Sequence, residues 1–354
     1  MSQAMTMRDR MLALIQGREL DRVPFVMYDI MAPPRLVDEL LGPGRMGLLR
    51  WCPISRAEYP SCRLESESHY EREFRVERNT VHTPVGSISE TKVFEPALNS
   101  GAIREHFIKT REDYEVLWYY LNDAVILDNY EQYRIDAAEL GDNGWPLASV
   151  ERTPWQQLWV EWVGLETLAV HTVDYPEHVA RTIEMLTKRA RQVFEIAYRS
   201  PAPFVDFPDN MTLPAIGRRR FRDYAAPLYD ELSEMLAERK AVTFCHMDGD
   251  LKGLADDIAR CKIGGLDSYS PPPDNDMPVA DAVTLWPEKR LWMNFPSSVH
   301  LRTPAVVRAA ADEILQIAGH TGRLWIQISE DVPPGRWRVT FPIIDEAIRD
   351  FGRP

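Results

Sequence analysis

His246 and Asp248 stand two residues apart in Cys245-His246-Met247-Asp248-Gly249-Asp250, directly after the apolar run 241–245, and Glu330 follows a second such run, 324–328. One imidazole and two carboxylates at the ends of apolar runs belong to a polar set that suits a site better than a structural core. Asp29, Glu151 and the pair Asp209-Asn210 follow other apolar runs, and Asp267 and Asn294 stand toward the ends of two more; all are read as substrate-orienting groups. Trp155, which opens the helical stretch after Glu151, is read as the floor of an aromatic pocket. Each has a plainer role beside the functional one. Asp29 suits the turn before Pro33-Pro34, Glu151 a helix N-terminus, Asp209-Asn210 a loop cap before Pro214, and His246 a loop-ordering hydrogen bond. A set of carboxylates and a histidine converging on one place is nevertheless costly in a structural core, which favours a site. Cys245 alternates with His246 along the strand and is expected to be a buried thiol rather than a ligand.

The elements that would position these groups are legible as short apolar runs at 23–28, 147–150, 204–207, 241–245, 265–269, 291–295 and 324–328, separated by amphipathic stretches. Strands alternating with helices mean βα units and a parallel sheet. Seven strands, with an eighth expected before residue 147, fit a closed (β/α)8 barrel, whose active site lies at the C-terminal strand ends. Neither a dinucleotide fingerprint nor a phosphate-binding loop is present. Alternating polar and apolar residues around Thr83-Pro84-Val85-Gly86 predict an antiparallel hairpin inserted at about 65–95 in a single barrel domain spanning 1–354.

The chain has 354 residues, 41 Lys and Arg against 54 Asp and Glu, and a net charge of −13. An acidic protein repels phosphate backbones, so nucleic acid is not an expected partner. At 45 % hydrophobic and 27 % charged, the composition is that of a globular protein. No run is apolar enough for a signal peptide or a membrane span, and a cytoplasmic setting with free thiols is expected. Nothing in the spacing specifies whether Cys52 and Cys62 interact or whether the chain forms a homodimer.

Several landmarks in series resemble the uroporphyrinogen decarboxylase superfamily over essentially the whole chain. They are Asp21-Arg22-Val23-Pro24, Thr83-Pro84-Val85-Gly86, the segment Phe107-Ile108-Lys109-Thr110-Arg111-Glu112-Asp113, His246-Met247-Asp248-Gly249-Asp250, Gly264-Gly265-Leu266-Asp267 and the stretch from Glu330 to Pro334. The resemblance implies a (β/α)8 barrel and one of two chemistries. True decarboxylases hold a polyacidic tetrapyrrole with an early Arg-rich segment; here that region reads Met27-Tyr28-Asp29-Ile30-Met31-Ala32-Pro33-Pro34-Arg35. An acidic mouth without that segment does not suit such a substrate. The other branch comprises corrinoid-dependent methyltransferases, related to cobalamin-independent methionine synthase, whose zinc sits on a His-x-Cys motif and a late cysteine. In this sequence Asp248 replaces the first cysteine, and the late region reads Ser329-Glu330-Asp331. The resemblance therefore implies a small O-methylated substrate, methoxyaromatic compounds included, and a corrinoid protein as partner. It implies zinc on His246, Asp248 and Glu330, hard enough to polarise an ether oxygen, or general-acid catalysis by the same residues. A metal-free decarboxylase or lyase and a non-catalytic ligand-binding barrel are the alternatives.

Overall fold

The structure is a computed structural model that describes residues 5–96 and 101–354. Fourteen strands run through the described residues: β1 (Phe25–Tyr28), β2 (Gly47–Pro53), β3 (Ser55–Glu58), β4 (Arg63–Glu71), β5 (Phe74–Thr83), β6 (Gly86–Phe94), β7 (Gly101–Glu105), β8 (Val125–Asp128), β9 (Gly144–Ser149), β10 (Phe204–Phe207), β11 (Val242–His246), β12 (Gly265–Tyr269), β13 (Arg290–Asn294) and β14 (Leu324–Ile328). Eight of them close a barrel in the order β1-β14-β13-β12-β11-β10-β9-β2. Every neighbouring pair in it is parallel. The expected (β/α)8 barrel is thus present, and its eighth strand is β2. The chain forms two compact units, one holding the barrel (residues up to Ile54, Asn129–Val150 and Ala197–Pro354) and one of Ser55–Asp128 and Glu151–Ile196.

Within the barrel unit, the two-residue strand period sorts side chains into layers. Val26, Leu49, Leu147, Phe204, Phe244, Trp292 and Trp325 belong to one buried apolar cluster. Phe244, Trp292 and Trp325 form a stack, with centroids 3.7 and 4.0 Å apart and planes within 23°. Gly265 makes this possible, because a Cβ there would lie 2.3 Å from the Phe244 ring. Helix Met7–Ile15, capped by the Thr6 side chain on Asp9 N–H, adds Met7, Met11, Leu14 and Ile15 to the same cluster. Two residues along each strand, toward the C-terminal end, the pattern turns polar: Tyr28, Ser149, Asp206, His246, Asp267, Asn294 and Gln327 are all buried. The apolar layer is a floor and the polar layer stands on it.

The other unit contains the antiparallel pair β3–β8 and a four-stranded antiparallel sheet in the order β4-β5-β6-β7. The sheet is wider than a hairpin over 65–95, since it runs from Arg63 to Glu105. The stretch 154–168, whose apolar spacing predicts one helix, is broken into helix Pro154–Gln157, a π-turn at Leu158–Trp162 and helix Leu165–Asp174. Gly164, at a φ of +82°, separates the last two. All four cysteines are free thiols, and no helix among the described residues is long and apolar enough to cross a membrane.

Candidate active site

His246 is the last residue of β11, and strand alternation turns it inward above Phe244 while Cys245 points the other way. Cys245 is fully buried with its thiol on the Tyr229 hydroxyl at 3.1 Å, and burial pushes it well above the ordinary thiol range. Asp248 follows two residues later. Its carboxylate accepts from Asn210 Nδ2 at 3.1 Å, and Asn210 reaches that place with a left-handed backbone, φ 48°. Asparagine tolerates this region better than most residues. Asn275 Nδ2 donates to the Asp248 carbonyl at 2.5 Å, so both ends of the residue are fixed.

Glu330 lies just past β14. Asn294, the last residue of β13, accepts the backbone N–H groups of Ser329 and Glu330 through Oδ1 at 3.1 and 3.3 Å. The Glu330 carboxylate in turn accepts from Ser268 Oγ at 2.8 Å. Ser268 is aimed by a break in register between Leu266 and Tyr269, where its φ is +60°. Bulges of this kind recur beside active sites because they redirect one side chain.

These elements bring His246 Nε2 to 3.7 Å from Asp248 Oδ2 and 3.6 Å from Glu330 Oε1. On the other side of the ring, Nδ1 is 3.0 Å from Asp267 Oδ2 and 3.0 Å from the Tyr28 hydroxyl. The Tyr28 hydroxyl itself donates to Asp267 Oδ2. Burial alone would lower the pKa of His246, but Asp248, Asp267 and Glu330 outweigh it and hold the ring well above the usual imidazole range. Burial works to raise Asp248, yet His246 and Asn210 prevail and hold its carboxyl below the usual range. Asp248 and Glu330 both face His246 Nε2, and each pairs with it ionically when the ring is protonated.

One ligand atom from each of His246, Asp248 and Glu330 lies within 4.8 Å of the others. One imidazole nitrogen and two carboxylate oxygens form a donor set suited to a hard or borderline divalent cation. A histidine whose second nitrogen is held by a carboxylate is the usual outer arrangement of a metal ligand. The residues present therefore fit a metal.

The remaining sequence-derived candidates make contacts of their own. Asp29 is one residue past Tyr28 and pairs with Arg50 Nε at 2.7 Å, in a network that includes Asp136 and Glu139. Asp209 accepts from the Tyr229 hydroxyl at 2.5 Å. Glu151 takes a two-pronged contact from Arg189, 2.6 Å at its shortest, and Trp155 is buried in the short helix Pro154–Gln157. Asp267 and Asn294 do reach the centre, by orienting His246 and Glu330. The strand-end reading missed Tyr28, Ser268, Gln327 and Trp51. Inward parity, counted back from His246, is the signal that finds Tyr28, Gln327 and Trp51.

No family model matches the chain, and no curated protein does. Among solved structures it is similar to a methyltransferase from Methanosarcina mazei at 12 % identity and a TM-score of 0.59, over 98 % of this chain and 99 % of that one. It also matches a B12-independent methionine synthase from Shewanella sp. W3-18-1 in complex with selenomethionine, at 9 % identity and a TM-score of 0.39, over 71 % and 72 % of the two chains. At 12 % identity the first likeness shows a shared fold.

Proposed function

We propose that this chain is a methyltransferase that takes the methyl group of a small O-methylated compound, aryl methyl ethers first, and passes it to a corrinoid held by a partner protein. The observation that carries this reading is the meeting of His246 Nε2 with Asp248 and Glu330 past the C-terminal ends of β11 and β14. Ether cleavage needs an electrophile at the oxygen, and these are the groups able to provide or hold one. That a barrel similar to this one is a methyltransferase supports the same reading.

A divalent cation, zinc in the first place, would be held by His246, Asp248 and Glu330 and would supply Lewis-acid polarisation of the ether oxygen. The chain's own residues do the rest. Asn210 fixes the Asp248 carboxylate, Ser268 and Asn294 fix Glu330, and Asp267 fixes His246. In the reaction the methyl carbon leaves its oxygen, and the C–O electron pair stays on that oxygen. The oxygen takes up a proton and departs as an alcohol or phenol. A reduced corrinoid on the partner would supply the electron pair for the new bond to the methyl carbon.

A second, metal-free reading follows from the raised pKa of His246, which keeps a proton at Nε2 for delivery to a leaving oxygen or a carbanion. A lyase or decarboxylase would use the same proton. Metal analysis of the protein, with methyl transfer from a panel of methoxylated aromatics to cob(I)alamin, separates the readings. Stoichiometric zinc is expected, with turnover lost on chelation and restored by metal. Asp248→Ala and Glu330→Ala should each lower turnover by about 100-fold or more. Turnover that survives both substitutions would overturn the site, and turnover that resists chelation would favour the second reading.

A further inference from the structure

The buried polar layer contains a continuous hydrogen-bonded chain that runs from the aromatic floor to His246. Trp325 Nε1 donates to Gln327 Oε1 at 3.0 Å. An indole nitrogen has a hydrogen to give and nothing to accept with, so this contact fixes which way the Gln327 amide faces. Its Nε2 is thereby directed to Asp267 Oδ1, at 2.9 Å. The other oxygen of Asp267 receives the Tyr28 hydroxyl and lies 3.0 Å from His246 Nδ1. Asp267 and Gln327 are fully buried, so water does not compete for these groups. Trp325 is held in turn by its stack on Trp292.

With Gln327 and Tyr28 both donating to Asp267, the complementary partner for the remaining contact is a third donor, the Nδ1–H of His246. We propose that Tyr28 and Gln327 are positioning residues that, through Asp267, hold the neutral ring of His246 as the Nδ1–H tautomer and turn the Nε2 lone pair toward Asp248 and Glu330. Once Nε2 gives up its proton, the ring is already turned as a ligand for an arriving cation, and Trp325 anchors that choice in the core. Its use in cation binding rests on the metal-assisted reading above; the tautomer itself does not.

The test therefore has two readouts on the full chain. The first is nitrogen NMR of metal-free protein labelled at histidine, at a pH where the ring is neutral. The wild type should show the hydrogen on Nδ1 and the lone pair on Nε2, and Tyr28→Phe and Gln327→Leu should each admit the other tautomer. The second is the affinity for zinc, with cobalt(II) and its absorption spectrum as a probe of ligand geometry. Both variants should bind about 10- to 100-fold more weakly, the range for losing an outer partner of a ligating histidine. The metal-free Tyr28→Phe protein should stay folded and melt a few degrees lower for the buried hydrogen bond it loses, whereas a merely structural role would leave the tautomer unchanged. A hydrogen on Nε2 in the neutral wild-type ring, or unchanged affinity in both variants, overturns the proposal. If the wild type shows the Nδ1–H tautomer but binds neither ion, the positioning chain stands and the metal-assisted reading fails.

Discussion

Trp51 occupies the inward position of β2 above Leu49, with its ring 5.3 Å from Tyr28 and 6.1 Å from His246. It is partly exposed, whereas Tyr28 and His246 are buried. An accessible indole beside the polar centre is the natural surface for a flat apolar substrate. Pairing of aromatic rings contributes about 0.5–1.5 kcal/mol beyond area burial. Trp51→Ala should therefore raise KM for an aryl methyl ether by up to about tenfold, with a smaller rise for an alkyl methyl ether. Trp51→Phe should recover most of the loss. Steady-state kinetics on the two substrates checks this, and an equal effect on both would remove Trp51 from substrate recognition.

At the level of elements, the barrel strands built on short, mostly apolar runs were legible in the sequence. β2 was not, because Arg50 interrupts its apolar run; that side chain turns outward to Asp29, Asp136 and Glu139. His246, Asp248 and Glu330 were legible because each directly follows an apolar run. Tyr28 and Gln327 were hidden because an aromatic hydroxyl or an uncharged amide in an apolar run reads as part of the strand, whereas the carboxylate of Asp267 does not. Ser268 was hidden for another reason, since only the bulge in β12 turns it toward Glu330. The loop after β11 depends on close approach as well. A Cβ on Gly249 would lie 2.2 Å from Thr212 Cβ and 3.0 Å from the Met211 carbonyl, in the segment that also carries Asn210. Thr212 Oγ1 accepts the Asp250 N–H at 3.1 Å, so displacing it loosens both sides of Asp248. Overpacking of this kind costs about 1–3 kcal/mol. Gly249→Ala should lower thermal stability by a few degrees and turnover by about tenfold or more. Full turnover in that variant would show that the approach of the two segments does not set Asp248.

For the molecule as a whole, the net charge of −13 conceals extensive pairing. Asp257 alone is met by Arg218, Arg222 and Arg260, and Arg308 reaches Asp312 and Asp350. Acid sensitivity should therefore begin not with these carboxylates but with buried neutral histidine. His300 is fully buried, with Nδ1 against Thr340 Oγ1 at 2.7 Å, and burial lowers its pKa to about 4. Between about 6.5 and 4 the unfolded chain binds a proton at this position that the folded protein refuses, so unfolding becomes easier as pH falls through that window. His171, also lowered by burial, adds in the same direction. His246 runs the other way: its raised folded pKa stabilises the metal-free protein below the unfolded value, and that contribution is lost as pH rises through the folded one. The paired carboxylates, Asp21 and Asp257 among them, have lowered folded values and withdraw their stabilisation only as pH falls below about 4. Replacing His300 by Gln removes the first of these terms. Denaturant unfolding from pH 7 to 4 should show the wild type losing up to about 3 kcal/mol more than His300→Gln over that range. Parallel curves for the two proteins would mean that His300 takes up its proton in the folded state as readily as in the unfolded one.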